Sequence, residues 1–244
     1  MGKRLLQQRR GRGTLLFRSP SHRFRGAVKH YPQQSSGSVI DIVHCAGHSA
    51  PLMEVAFQTG EKSLAFAPEG IKVGDSISVG ISSGQEHMEL KELKPGSVMA
   101  LKDIPEGTLI HNIELHPNDG GKLVRASGSF ARIVSKTENM VRVKLPSRKE
   151  KDFSCACRAA IGVLAGSGRL EKPFLKAGTR FKRMGARGRY YPHVCGISMN
   201  AVDHPFGGKC SHIKGRPTLS PRGAPAGRKV GKIAPRRTGR RKVK

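Results

Sequence analysis

The chain has 244 residues, a formal net charge of +28, 5% aromatic residues and no Trp. No apolar run approaches the roughly 18 residues a membrane-spanning helix needs, and the five Cys, odd in number and without a CxxC pair, exclude a disulfide scaffold and read as reduced thiols. Residues 1–38 hold nine Lys/Arg and no acid, residues 39–164 hold fifteen charges of each sign, and residues 165–244 hold twenty-one Lys/Arg against Glu171 and Asp203. A neutral body between two cationic ends is built to fold in the middle and thread its ends into a polyanion, and folded RNA is the partner it points to.

Residues 1–37 form a basic N-terminal extension in which Arg10, Arg12, Arg18, Arg23 and Arg25 are candidate phosphate contacts. The start lacks a secretory apolar core, and Gly11, Gly13 and Pro20 interrupt the amphipathic helix a mitochondrial presequence requires. From residue 38 to 97 short β-like runs take over: Val39–Val43, Met53–Phe57, Leu64–Ala67 and Ser76–Ile81. Turn residues at Thr59-Gly60, Pro68-Glu69-Gly70 and Gly74-Asp75 separate them, which predicts a small antiparallel barrel or sandwich.

A second β set occupies residues 98–165, with strands expected over Thr108–Leu115, Lys122–Ala126, Phe130–Val134 and Met140–Leu145. The last alternates apolar and basic residues, so Arg142 and Lys144 should face outward. The seam between the two β units falls at Pro95-Gly96 or at Lys102–Pro105. His111 and His116 read as core-edge or surface residues, and Cys155 and Cys157 as small hydrophobes on one side of a strand.

Periodicity ends after Gly166. Residues 166–244 read as a basic Gly/Pro-rich extension with little regular structure, its one short helical stretch being Pro173–Ala177, ended by Gly178. Lys176, Arg180, Lys182, Arg183, Arg187, Arg189, Arg228 and Lys229 are interleaved with Gly, Pro and small residues, as are Arg236, Arg237, Arg240 and Arg241. Arginine forks two donors onto one phosphate or stacks on a base, and Phe181, Tyr190 and Tyr191 offer stacking faces.

The stretch Cys195–His212 is the densest in unusual residues. Cys195, His204, Cys210 and His212 are zinc-type ligands, but their gaps of nine, six and two match no common finger spacing, so a metal is disfavoured. Gly207-Gly208-Lys209 is no phosphate loop, because Asp203 and Cys210 stand where Gly and Ser/Thr are needed. Asp203 and His204 are neighbours in sequence, which does not aim one at the other, so His204 is expected to contact RNA by stacking or hydrogen bonding.

Several stretches resemble the universal large-subunit ribosomal protein L-two family. They are Gly11–Ala27 (GRGTLLFRSPSHRFRGA), Ile104–Glu114 (IPEGTLIHNIE), Val124–Val134 (VRASGSFARIV), Ala160–Gly166 (AIGVLAG), Lys172–Gly178 (KPFLKAG), Met199–Gly208 (MNAVDHPFGG) and Ala224–Gly239 (APAGRKVGKIAPRRTG). Pro205-Phe206-Gly207 resembles the archaeal and eukaryotic branch. After Gly208 the sequence departs from the family pattern, with Lys209-Cys210-Ser211 in place of a third Gly and a His-rich turn.

The resemblance implies a mainly β protein, an OB-fold barrel followed by an SH3-like barrel, between long irregular basic extensions. It implies large-subunit rRNA as partner, with neighbouring ribosomal proteins and an approach to the small subunit. The location it implies is the ribosome in the cytoplasm, with no membrane and no cofactor beyond structural Mg2+ shared with the RNA. Asn200, His204, Gly207 and Gly208 join the basic residues as expected rRNA contacts, with His204 supporting the peptidyl-transferase region and not acting as a catalyst. The competing classes are an RNA-acting enzyme using His204 and a basic RNA- or DNA-binding protein outside the ribosome.

Overall fold

Turn-punctuated runs of β-branched residues become strands. The computed structural model describes residues 4–80, 93–208 and 218–235. Strands β1 (Ser35–Val43), β2 (Leu52–Phe57), β3 (Lys62–Phe66) and β4 (Ser76–Val79) form where the sequence expects them; Ile81, at the end of the fourth expected run, lies outside the described residues. They are followed by β5 (Val98–Ala100), β6 (Leu109–His111), β7 (Ala131–Lys136), β8 (Met140–Lys144), β9 (Glu150–Ser154) and β10 (Arg158–Ile161). The ten strands make one sheet of order β3-β2-β1-β4-β5-β10-β6-β7-β8-β9. Every pairing in it is antiparallel except β4 with β5, which meet in parallel at Val79 and Val98.

This sheet encloses two main cores. Val39, Met53, Val55, Phe57, Ile77 and Val79 fill the first, with Tyr31 stacked on Phe57 at 4.1 Å between ring centroids. Leu101, Ile104, Ile110, Ile113, Ile133, Val141, Val143 and Phe153 fill the second. The period-two alternation of β5 and β10 makes them a common wall: Val98 and Ala160 face the first core, while Met99 and Ala159 face the second. A smaller cluster of Val28, Val43, Cys45, Leu52, Phe66 and Leu164 sits beside them. The body is thus mainly β, an OB-type barrel followed by an SH3-like one. Val28, His30 and Tyr31, within the segment assigned to the N-terminal extension, are buried here.

Several expected elements differ. The strand foreseen over Thr108–Leu115 shrinks to β6, because Asn112 adopts a left-handed backbone (φ 49°) that ends the ladder. The strand foreseen over Lys122–Ala126 does not form: Gly120, Gly121 and Val124 all have positive φ, leaving one bridge between Ile113 and Leu123. His111 is completely buried and so is no surface residue. Cys157 is buried, but Cys155 is only half-buried and lies in a turn where its thiol points at the Thr137 and Glu138 carbonyls.

Residues Ser21–Phe174 form one compact unit, and Met1–Pro20 with Leu175–Lys244 form another. In the second lie α1 (Leu6–Arg10), α2 (Ala177–Gly185), single turns at Leu15–Phe17 and Gly196–Ser198, and a short parallel pair, β11 (Leu219–Ser220) with β12 (Lys232–Ile233). The helix expected to stop at Gly178 starts at Ala177 instead. A glycine in the first turn costs little, since N–H groups there have no intrahelical acceptor, and the run Arg180–Met184 favours helix. Lys182 and Arg183 then sit in the last turn, where cations suit the helix dipole. Among the described residues of this unit, Leu5 and Val230 are the only buried apolar side chains. Hydrophobic burial therefore contributes little to holding it in one shape.

Candidate nucleic-acid interface

The terminal unit carries a cluster of arginines on aromatic rings. The Arg10 guanidinium, at the end of α1, lies 6.0 Å from the Phe17 ring centroid and 3.4 Å from His193 Nε2. Phe17 is 6.4 Å from Tyr190, and Tyr190 meets His193 edge-on at 5.5 Å. From α2, Arg180 sits 5.1 Å over the Tyr191 ring. Gly188 makes the juxtaposition feasible. It has φ 61°, and a Cβ there would lie 2.6 Å from the backbone of Arg18 and Ser19, so only glycine lets these segments approach.

Two hollows border this cluster and share Tyr190 and His193. One, of about 530 Å3, is lined by Arg10, Arg180, Arg189 and Tyr191. The other, of about 710 Å3, is lined by Arg4, Arg9, Arg12, Asn200 and Asp203. Phe17, Tyr190 and Tyr191 are half-buried, and guanidinium groups beside partly open rings are the pair of features that grip a phosphate backbone and stack its bases.

The segment Met199–Gly208 closes into a knob. Asp203 and His204 donate their N–H groups to the Asn200 carbonyl, Gly207 donates to His204, and Gly208 donates to Met199 at 3.1 Å. Gly207 is buried against the Asn200 carbonyl so closely that any Cβ would overlap it. The His204 ring lies over Gly196, whose Cβ position it fills, and 5.1 Å from Phe206. Its Nδ1 accepts the Phe206 N–H at 3.0 Å, which puts the proton of the neutral ring on Nε2. Desolvation holds its pKa below the ordinary histidine value, so at neutral pH His204 is an uncharged Nε2–H donor.

The other candidates are dispersed. Arg12, Arg18, Lys182 and Arg228 are exposed, as is Lys176, the N-cap of α2. Arg183 and Arg187 are half-buried and engaged within the protein. Lys229 is half-buried in a turn whose N–H groups close on the Pro225 carbonyl. Arg23 and Arg25 are exposed in the barrel unit. Arg236, Arg237, Arg240, Arg241, Cys210 and His212 lie outside the described residues. Of the zinc-type quartet, Cys195 is therefore seen only as an exposed free thiol and His204 as above. Among the described residues no group of three or more His, Cys, Asp or Glu could hold a metal ion.

In the barrel unit Arg142 and Lys144 are exposed on β8 as expected, and Arg142 pairs with Asp152 of β9 at 2.9 Å. The sequence reading missed a buried polar hub. Glu114, whose side chain is wholly buried, accepts from Arg158 Nη2 at 3.0 Å and from the Arg158, Asn118 and Gly120 N–H groups. Arg158 Nη1 donates onward to the Tyr31 carbonyl at 2.9 Å. His30 Nε2 donates to the Asn112 carbonyl at 2.6 Å, and burial pushes its pKa down to about 4 despite that bond. His111 Nδ1 donates to the Gly162 carbonyl, and burial lowers its pKa to about 4 as well. These contacts fix the segment that leads into β1 against the second barrel.

A mainly β body joined to termini whose arginines stack on aromatic rings is the build of an RNA-binding protein. Residues 94–223 match the model of the Ribosomal Proteins L2, C-terminal domain. The chain is 47% identical to the large ribosomal subunit protein uL2 of Haloquadratum walsbyi, over 98% of this chain and 97% of that one. It is 48% identical to the uL2 proteins of Natronomonas pharaonis (98% and 97% covered) and Methanococcoides burtonii (99% and 100% covered). The chain belongs to the ribosomal protein L2 family, in its archaeal-type branch.

Proposed function

We propose that this protein is a structural constituent of the large ribosomal subunit that binds its rRNA. The observation that carries this reading is near-full-length similarity to relatives named for that subunit. The terminal unit supports it physically: its arginines are stacked on rings, and its described residues include only two buried apolar side chains, which give it little reason to order without a polyanion. In this role the barrels dock on rRNA, and the termini, with Arg10, Arg12, Arg18, Arg180, Arg189 and Arg228 in front, neutralise phosphate deep in the RNA. Neighbouring ribosomal proteins and the small-subunit face are further partners, and Mg2+ is shared through the RNA. His204 acts as a fixed neutral donor that shapes RNA near the peptidyl-transferase region. The reaction itself is left to RNA, and with Nδ1 held by the Phe206 N–H and the proton on Nε2 the His204 ring has no open nitrogen to act as a base. No helix of the described residues is long and apolar enough to cross a membrane.

Binding of the full-length protein to a large-subunit rRNA fragment, titrated against salt, tests the electrostatic mechanism. If about ten cations displace counterions, the slope of log K against log salt lies near −7 to −9, and a slope shallower than about −2 contradicts it.

A further inference from the structure

The larger hollow of the terminal unit differs from the rest of its cationic surface in carrying a carboxylate. Arg4, Arg9 and Arg12 line one part, Tyr190 and His193 form an aromatic wall, and Asn200 and Asp203 line it from the knob. Asp203 is one of two acids in residues 165–244. A carboxylate repels phosphate and attracts hydrogen-bond donors; the neighbouring hollow, lined by Arg10, Arg180 and Arg189, has no acid among its described lining residues. Asp203 is engaged within the protein, yet a carboxylate offers about four lone-pair positions and so accepts further donors.

Among RNA bases, guanine alone presents two adjacent donors on its Watson–Crick edge, N1–H and the N2 amino group. Adenine, cytosine and uracil each present one donor next to an acceptor, which a carboxylate repels. The hollow, about 710 Å3, falls within the roughly 300–1,000 Å3 of small-molecule sites. We propose that it receives one unstacked guanine residue of an RNA strand. The base lies on Tyr190, its N1–H and N2 amino group donate to Asp203, its O6 accepts from the Asn200 amide, and the flanking phosphates rest on Arg4, Arg9 and Arg12. This deepens the RNA-binding reading above and rests on it.

The test is competition binding by the full-length protein at fixed salt. The probes are the pentaribonucleotide UUGUU, the same strand with adenine or inosine at the centre, and GMP alone. The expected result is UUGUU about tenfold tighter than UUAUU, at the low end of what a bidentate edge contact discriminates. Inosine, which lacks the N2 amino group, falls between them, and GMP competes only at much higher concentration because it lacks the flanking phosphates. Asp203→Asn brings the affinity for UUGUU down to that for UUAUU. Equal binding of the three pentamers, or a guanine preference intact in Asp203→Asn, overturns the proposal. GMP competing as well as UUGUU assigns the hollow to a free nucleotide and overturns it too. The pentamer series on the unaltered protein stands even if the variant misfolds. Steep salt-dependent binding of an rRNA fragment by the same preparation separates failure of this proposal from failure of the rRNA reading.

Discussion

Replacing Glu114 should be among the most damaging single changes in the barrel unit. Its carboxylate, with no exposed surface, receives Arg158 Nη2 at 3.0 Å and Nε at 3.2 Å, the Arg158 N–H at 2.9 Å, and the Asn118 and Gly120 N–H groups at 3.2 Å. Glu114→Ala leaves a guanidinium that is 12% exposed without its counter-charge, together with orphaned backbone donors. Breaking a buried pair in this way costs about 3–5 kcal/mol, a large part of the roughly 5–15 kcal/mol that holds a domain folded. The Arg158 bond to the Tyr31 carbonyl should loosen with it, so amides around His30 should lose hydrogen-exchange protection. Urea denaturation followed by circular dichroism measures the first effect. A cycle with Arg158→Met measures the coupling, and the double variant should be more stable than the sum of the single losses allows. A loss under about 1 kcal/mol for Glu114→Ala, or strict additivity in the cycle, would refute the hub.

Stability should fall with acid before the carboxylates titrate. His30 and His111 are held neutral with pKa values near 4 against an ordinary 6.5, so the unfolded chain binds more protons between those values. Stability is then full above about pH 6.5 and declines toward pH 4, by about 3 kcal/mol for each imidazole. A melting temperature that stays flat between pH 7 and 4.5 contradicts this. Gly207→Ala must push the Asn200 carbonyl aside and open the knob, so the His204 ring, followed by its NMR titration, should move up toward the ordinary histidine pKa. An unchanged titration midpoint would show that the knob tolerates a side chain. Gly188→Ala forces a left-handed backbone on a residue with a Cβ and pushes it into Arg18 and Ser19. RNA affinity should fall while the main thermal transition of the barrels stays in place, and wild-type affinity for an rRNA fragment would contradict the contact.

How far the sequence reaches depends on the range of the interactions. β2 and β8 are legible because alternation and turn residues are local, and β8 shows the expected inward Val141 and Val143. β9 is hidden, since Glu150–Ser154 offers one apolar residue and owes its place to pairing with β8. β5 and β10 are three and four residues long, too short for periodicity to show, although they divide the two cores. Lys122–Ala126 has the composition of a strand, but the positive φ angles of Gly120, Gly121 and Val124 decide against one. At the candidate site the cationic residues and Tyr190-Tyr191 were visible by type. Their grouping was not: Arg10 and His193 are 183 residues apart, and Glu114 and Arg158 are 44 apart. Nothing local in the sequence marks such pairs.

Sedimentation shows whether the protein resides in the large ribosomal subunit. Cell extract is washed at high salt, resolved on a sucrose gradient, and the protein is located by antibody. Termini threaded through folded RNA are held by topology as well as charge, so the protein should travel with the large ribosomal subunit after the wash. Recovery in the free pool alone, with large subunits intact and lacking it, would overturn the proposed role in that subunit.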